Sequence, residues 1–292
     1  MKRSRWAIKL EQFRQAKRIH GGLLLLAVAL LGVKLSRVPI PTRRLRSTLY
    51  RKVFMKKYPD LIESEADRPI EEYASLNALF TRGIRPECRP IDTRAPHFLS
   101  PCDGTVQEIG RLHGDKLLTL KGIEYTLESL LPGIDTAPFE NGHVAVVFLS
   151  PADCHRVFSP QDAQVEEAVH VPGYRLLVHP PHQRADYPVY TLNERLILRL
   201  KTPRGVCLLV LVAGWGVGNI RLPWDRTFRP RSRRLVRKTW SPAPEMRRGD
   251  WIATFELGST VVLLTQPQAG VVPAVTANQR VKYGQPLFTC GG

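Results

Sequence analysis

The sequence predicts an α+β chain, with helices confined to its N-terminal part and a mostly antiparallel β body after them. Three observations carry this reading. Charge is divided unevenly: residues 1–57 hold 16 Lys or Arg against one acid, Glu11, whereas residues 58–292 hold 27 basic and 25 acidic groups. Before Phe98 the apolar residues recur at helical spacing. After Phe98 they come as short runs of Val, Leu and Ile between turn signals, the pattern of buried strands. With 292 residues, 43% of them hydrophobic, the chain can bury a substantial core.

The first element is Gly21 to Val33, an uncharged run of 13 residues rich in Leu, Ala and Val. As a helix it would span about 20 Å, short of the roughly 30 Å hydrocarbon core of a bilayer. Lys17 and Arg18 precede it and Lys34 and Arg37 follow it, and no small-residue cleavage site marks it as a signal peptide. A short apolar run between basic flanks fits a segment embedded in the face of an anionic membrane. Pro39 and Pro41 end it. Arg43 to Tyr58 reads as a basic helix with Leu45, Leu49, Val53 and Phe54 at helical spacing. A second helix is expected over Ile70 to Phe80, with Tyr73, Leu76 and Phe80 on one side. Arg85 to Asp92 is interrupted by proline and reads as a loop. The expected organisation is thus a basic membrane-associating segment, 1–58, with N-terminal membrane-facing helices, and a second domain, 59–292.

The strands expected in that domain are Val144–Leu149, Leu196–Leu200, Val206–Ala213, Trp251–Phe255 and Val261–Leu264. Pro203-Arg204-Gly205 and Arg248-Gly249-Asp250 supply turns between them. Phe255 to Leu264 reads as one strand broken at Gly258-Ser259-Thr260, where a glycine signals a bulge or a close backbone approach. A second basic cluster, Arg226, Arg229, Arg231, Arg233, Arg234, Arg237 and Lys238, lies between Trp224 and Trp240. Charge alone fits phospholipid headgroups, nucleic acid or a solvated loop, but no recognition helix or zinc module accompanies it. The two tryptophans suit a membrane interface. The five cysteines, at 88, 102, 154, 207 and 290, show no metal-ligand spacing and an odd count, which favours a reducing compartment over a disulfide framework.

Three stretches carry the chemistry. Ser100-Pro101-Cys102-Asp103-Gly104 places an aspartate in a turn at the start of a strand. Ser150-Pro151-Ala152-Asp153-Cys154-His155 places a histidine in a loop after a buried strand. Gly258-Ser259-Thr260 places a hydroxyl beside a carbonyl that no Cβ shields. Taken singly, each has an ordinary structural use in a turn, a core or a bulge. Taken together, with the length and the basic arm, they resemble the phosphatidylserine decarboxylase family of self-cleaving pyruvoyl enzymes. The resemblance extends from about Tyr73 to the C-terminus. It includes Lys121 to Glu128, Phe139-Glu140-Asn141-Gly142, Asn193-Glu194-Arg195, Val212-Ala213-Gly214 with Val217-Gly218, and Gly284-Gln285-Pro286-Leu287.

The resemblance implies that Ser259 attacks the carbonyl before it, with Gly258 the cleavage site. Cleavage between 258 and 259 would leave a large chain, 1–258, and a small chain, 259–292, whose first residue becomes a pyruvoyl cofactor. That carbonyl would take the substrate amine in a Schiff base and serve as the electron sink for decarboxylating phosphatidylserine to phosphatidylethanolamine. By the same resemblance His155 is the acid that protonates the carbanion, and Asp103 the carboxylate that orients a histidine for cleavage. No metal is implied. The expected partners are an anionic phospholipid membrane, the phosphatidylserine substrate and the two chains of one precursor; a homodimer is compatible and nucleic acid is not expected. The expected location is the cell membrane, peripheral or shallowly anchored on the cytoplasmic side.

One residue departs from the pattern. The family's best-known members carry a second histidine three residues after the first, assigned as the base for self-cleavage, and here Phe158 stands there. His155 could serve both steps, or His143, His170, His179 or His182 could approach Ser259. Otherwise processing is slow or absent and the chain is a non-catalytic lipid-binding homologue. A serine hydrolase built on Asp103, His155 and Ser259 is disfavoured, because a strand and not a helix follows Ser259.

Overall fold

The computed structural model describes residues 6, 8–10, 13–14, 17, 22–94, 96–118, 123–178, 188–214, 220–229, 233–256 and 259–291. Leu23–Leu35 forms a helix, as the apolar run predicts, and exposes Leu23, Leu24, Leu31 and Leu35. No described helix is long and apolar enough to cross a membrane. Arg43–Leu49 follows, capped by Thr42, and winds on as a π-helical turn over Tyr50–Met55. The helix expected over 70–80 is split. A 3-10 turn covers Ile70–Glu72 and a separate helix covers Leu76–Phe80, because Tyr73 takes an extended conformation and the Ser75 hydroxyl caps a new start at Ala78 N–H. Serine competes for backbone donors in this way and so favours a helix start over a helix interior.

The body is one nine-stranded sheet with smaller sheets packed on it, and every strand pairing within them is antiparallel. In spatial order its main path runs Val236–Thr239, Ala163–Val171, Arg195–Thr202, Gly205–Ala213, Ser259–Thr265, His143–Leu149, Gly104–Arg111 and Arg280–Val281. The alternation of a pleated strand sorts the side chains onto two faces. Val261 and Leu263 join Ala145, Val147, Leu149, Leu209, Leu211 and Ala213 in one core. Val262 and Leu264 join Val144, Val146, Leu208, Val210 and Val212 in another, on the opposite face. Both faces are covered, which explains why these strands read as unbroken apolar runs.

The stretch from Phe255 to Leu264 is not one broken strand. Trp251–Phe255 belongs to a three-stranded sheet with Arg156–Phe158 and Ile220–Arg221, whereas Ser259–Thr265 sits at the middle of the large sheet. Phe255 and Ser259 therefore lie in different sheets. A bulge would have kept the strand in one ladder; here each half pairs with different partners.

Candidate active site

Ser259 opens its strand and pairs with Leu149 on one side and Ala213 on the other. It is fully buried, and its Oγ has no hydrogen-bond partner. Among the described residues the buried hydroxyls of Thr260 and Ser150 share this lack of a partner, so Ser259 is set apart by its place at the start of the central strand and not by the missing bond alone. Gly258, the expected cleavage site, and Leu257 lie outside the described residues. On the upstream side Glu256 is buried and held by ion pairs to Arg37, at 2.9 Å, and to Arg221.

His155 comes from the loop after the His143–Leu149 strand. Its carbonyl accepts a hydrogen bond from Phe255 N–H at 2.9 Å, which ties it to the strand leading toward the cleavage corner. The ring lies 3.8 Å from that of Phe80, centroid to centroid. Nδ1 donates to the Asp153 carbonyl at 3.0 Å, which leaves Nε2 as the free acceptor nitrogen; Nε2 is buried with no partner. Burial, aided by the nearby Arg82 charge and opposed by the bond to the Asp153 carbonyl, pushes the imidazole down to about 3, so it is neutral. Arg82 is buried and holds the Ala152 and Asp153 carbonyls, so it fixes the loop that presents His155. Cys154 sits alongside, but burial pushes its thiol up to about 12 and keeps it protonated.

Asp103 occupies the expected turn, with Gly104 next to it because a Cβ there would meet the Phe148 carbonyl at 2.3 Å. Its carboxylate takes a bidentate pair from Arg89 (Nε to Oδ1 at 3.0 Å, Nη2 to Oδ2 at 2.6 Å) and the Tyr283 N–H at 2.9 Å. No described histidine bonds to it. Although burial opposes its charge, the hydrogen bonds that Arg89 donates to the Asp103 and Glu65 carboxylates hold it above its ordinary pKa. Phe158, in the position of the missing histidine, stacks on Tyr283 with ring centroids 3.7 Å apart and an interplanar angle of 15°.

Two of the four alternative bases are elsewhere. His143 pairs with Thr265 at the far end of the Ser259 strand, about 20 Å away at strand rise. His170 lies three strands across, at about 14 Å by strand spacing, and its Nε2 is bonded to Glu194 at 3.1 Å. His179 and His182 lie outside the described residues. Trp224 and Trp240 stand edge to face, with ring centroids 4.8 Å apart. Both indoles are partly buried against the core; Trp224 Nε1 donates to the Ile252 carbonyl and Trp240 Nε1 to Asp225.

Sequence reasoning missed Arg82, Arg89, Phe80 and Glu256, none of which carries a motif. It flagged Asn193-Glu194-Arg195 without a role. Asn193 now proves to bond the Ala213 and Leu176 carbonyls, and Arg195 the carbonyls of Ser129 and Leu130. These bonds anchor the end of the strand against which Ser259 lies.

A family model for phosphatidylserine decarboxylase matches residues 76–289. The phosphatidylserine decarboxylase proenzyme of Halorhodospira halophila is 36% identical over 260 residues, covering 85% of this chain and 85% of that protein. The proenzyme of a Polaromonas species is 34% identical over 219 residues (72% and 76%), and that of Myxococcus xanthus 31% over 234 residues (80% and 82%). The matched region holds the sheet, the His155 loop and the Ser259 strand together, and by that match the chain belongs to the phosphatidylserine decarboxylase family.

Proposed function

We propose that this chain is a precursor that cleaves itself at Ser259 and then decarboxylates phosphatidylserine to phosphatidylethanolamine and CO₂, with the pyruvoyl group derived from Ser259. The observation that carries the reading is that Ser259 Oγ and His155 Nε2 are both buried with no hydrogen-bond partner among the described residues, one on the strand after the cleavage position and the other on a loop whose backbone is bonded to Phe255 before it. In the cleavage step Ser259 Oγ bonds to the Gly258 carbonyl carbon as the Gly258–Ser259 C–N bond breaks, giving an ester and a free amine. Loss of the Ser259 α-proton expels the Gly258 carboxylate and leaves dehydroalanine; water then replaces its nitrogen, released as ammonia. The pyruvoyl carbonyl so formed supplies an electron sink for decarboxylating a bound amine.

The fold suits this sequence of events. The small chain would begin inside the large sheet and remain paired on both sides, with His143–Leu149 and Gly205–Ala213. It would also keep Arg280–Val281 on the Gly104–Arg111 strand and Pro286–Cys290 on Phe98–Leu99. Cleavage would then break none of the described strand pairings. His155 is the group that moves protons. With Nδ1 fixed on Asp153, Nε2 alone can accept a proton, and its low basicity makes it return that proton readily at the same atom. One imidazole would therefore serve cleavage as base, returning its proton to the departing amine, and in decarboxylation would pass to the carbanion a proton that Nε2 first takes from solvent.

The chain works at the cytoplasmic face of the cell membrane. The exposed leucines of the Leu23–Leu35 helix and the basic flanks support this, and flotation with vesicles containing phosphatidylglycerol tests it. Self-association as a homodimer belongs to the same proposal, and light scattering of the detergent-solubilised chain reads it. A second reading, a homologue that binds lipid without processing, draws on Phe158 and on the engagement of Asp103 by Arg89. A denaturing gel decides between them: processing yields a fragment of about 4 kDa, the share of 33.0 kDa that residues 259–292 represent. A wild-type chain that stays whole and releases no CO₂ would overturn the decarboxylase reading.

A further inference from the structure

A cleft of about 680 Å³ opens between the Leu76–Phe80 helix and the segment after Ile220, and Arg156, Thr254 and Glu256 bring it to the edge of the active site. Its walls are unusually cationic. Arg68, Arg82, Arg156, Arg221, Arg226 and Arg229 line it, against only Glu72, Asp225 and Glu256. Each of these acids is already engaged: Glu72 by Arg43, Asp225 by Lys238 and Glu256 by Arg37 and Arg221. Arg226 and Arg229 have no carboxylate partner among the described residues. Arg156 reaches Asp67 only at 3.6 Å, and its guanidinium lies 4.1 Å over the Trp251 ring. Arg82 is almost wholly buried at the base of the cleft, with Nε lacking a partner.

We propose that this cleft binds the phosphodiester of a membrane phospholipid headgroup, with Arg156, Arg226 and Arg229 as the anion-holding side chains. The proposal rests on the decarboxylase reading for its substrate and deepens it. Guanidinium groups present forked donors that match phosphate oxygens, and a concave wall of one charge sign strengthens their pull. Arg82, which lines the cleft, also holds the Ala152 and Asp153 carbonyls of the loop that presents His155, so the cleft adjoins that loop. The lipid source is favoured over free phosphate by what borders the cleft. Arg37, two residues beyond the apolar helix, reaches down to Glu256 on the cleft wall, while Asn77 N–H bonds the Ser36 carbonyl. The element that would sit in a membrane is thus docked on the rim.

Trp251 reports on the site. Glycerophosphoserine and, separately, inorganic phosphate are titrated into the full-length protein in detergent while tryptophan fluorescence is followed, with Trp251→Phe identifying the signal. The expected result is a saturable change with glycerophosphoserine, present also in unprocessed Ser259→Ala, and weakened about tenfold by the Arg226→Gln/Arg229→Gln pair. In micelles of phosphatidylserine the same pair should raise KM by about tenfold with kcat and self-cleavage unchanged. Equal affinity for inorganic phosphate would assign the cleft to the free anion and overturn the lipid assignment. No saturable response, or one untouched by the double substitution, would overturn the site itself. Binding that persists in a chain that never releases CO₂ would instead remove the decarboxylase reading and leave the cleft standing.

Discussion

Asp103 on one side of the site and the Ser259–His155 pair on the other are equally buried and chemically opposite. Asp103 has its charge met by a bidentate arginine and a backbone N–H. Ser259 Oγ and His155 Nε2 have nothing. A buried polar atom with all its bonds made contributes to structure, whereas one left without a partner carries a desolvation cost that only a reaction or a ligand repays. Three residues that the sequence placed in one catalytic set thus divide, by hydrogen bonding, into an anchor, Asp103, and two residues, Ser259 and His155, proposed to react and without a partner at Oγ and Nε2 among the described residues. Arg89 and Asp103 join the loop before the first long strand to Tyr283, near the end of the small chain, and so hold the two future chains together.

The comparison breaks most decisively at Ser259. Ser259→Ala should abolish fragment release on a denaturing gel and all CO₂ release, while the unfolding midpoint stays within a few degrees, because the hydroxyl makes no bond to lose. A large loss of stability would show that the hydroxyl is structural after all. His155→Gln should lower both cleavage and turnover by about a thousandfold, within the range of general acid–base contributions. It should also change the pH dependence of folding. The folded imidazole titrates at about 3 and an unfolded one near 6.5, so the unfolded state binds the proton first as pH falls. The wild type should therefore lose stability from about pH 6.5 downward, by up to about 1 kcal/mol per pH unit, and His155→Gln should flatten that slope in chemical-denaturation curves.

On the anchoring side the readout changes from rate to stability. Asp103→Asn leaves Arg89 buried and half-paired, and removing one partner of such a pair costs about 3–5 kcal/mol. Arg89→Met should cost a similar amount. The double variant Arg89→Met/Asp103→Leu should recover part of the loss, which a double-mutant cycle from urea melts would measure. If Asp103→Asn instead slows cleavage a hundredfold or more at unchanged stability, the carboxylate belongs with the reacting pair.

How much of this was legible in the sequence follows from the range of the interactions. The strands were readable because sheets covered on both faces demand continuous apolar runs, and the five expected strands match observed ones to within two residues at each end. Ser259 and His155 were readable through ordered motifs. That Phe255 and Ser259 lie in different sheets was not, since the two are similar in local pattern and differ only in distant partners. Arg82 and Arg89 were illegible for the same reason: each reaches across more than ten residues of sequence to a carbonyl or carboxylate. The helix over 70–80 failed on a local signal that was present, the serine at 75 that begins a new helix.

The finest test of the division between anchor and reacting pair is Phe158→His, which restores the family's usual histidine. Stacked aromatic pairs contribute about 0.5–1.5 kcal/mol beyond their burial, so losing the Phe158–Tyr283 stack should cost about 1 kcal/mol in a urea melt. Kinetics discriminate more sharply. A histidine at 158 gains a catalytic role only if a carboxylate orients it, and Asp103 already has its lone pairs taken by Arg89 and Tyr283 N–H. Cleavage in a time course of freshly synthesised precursor should then change by less than about threefold, well short of the roughly hundredfold or more that general acid–base catalysis contributes. An acceleration of tenfold or more would mean that Asp103 exchanges Arg89 for the new imidazole. The Arg89→Met/Phe158→His combination locates the cause: if the arginine is what withholds the carboxylate, removing it should release the acceleration that Phe158→His alone does not show.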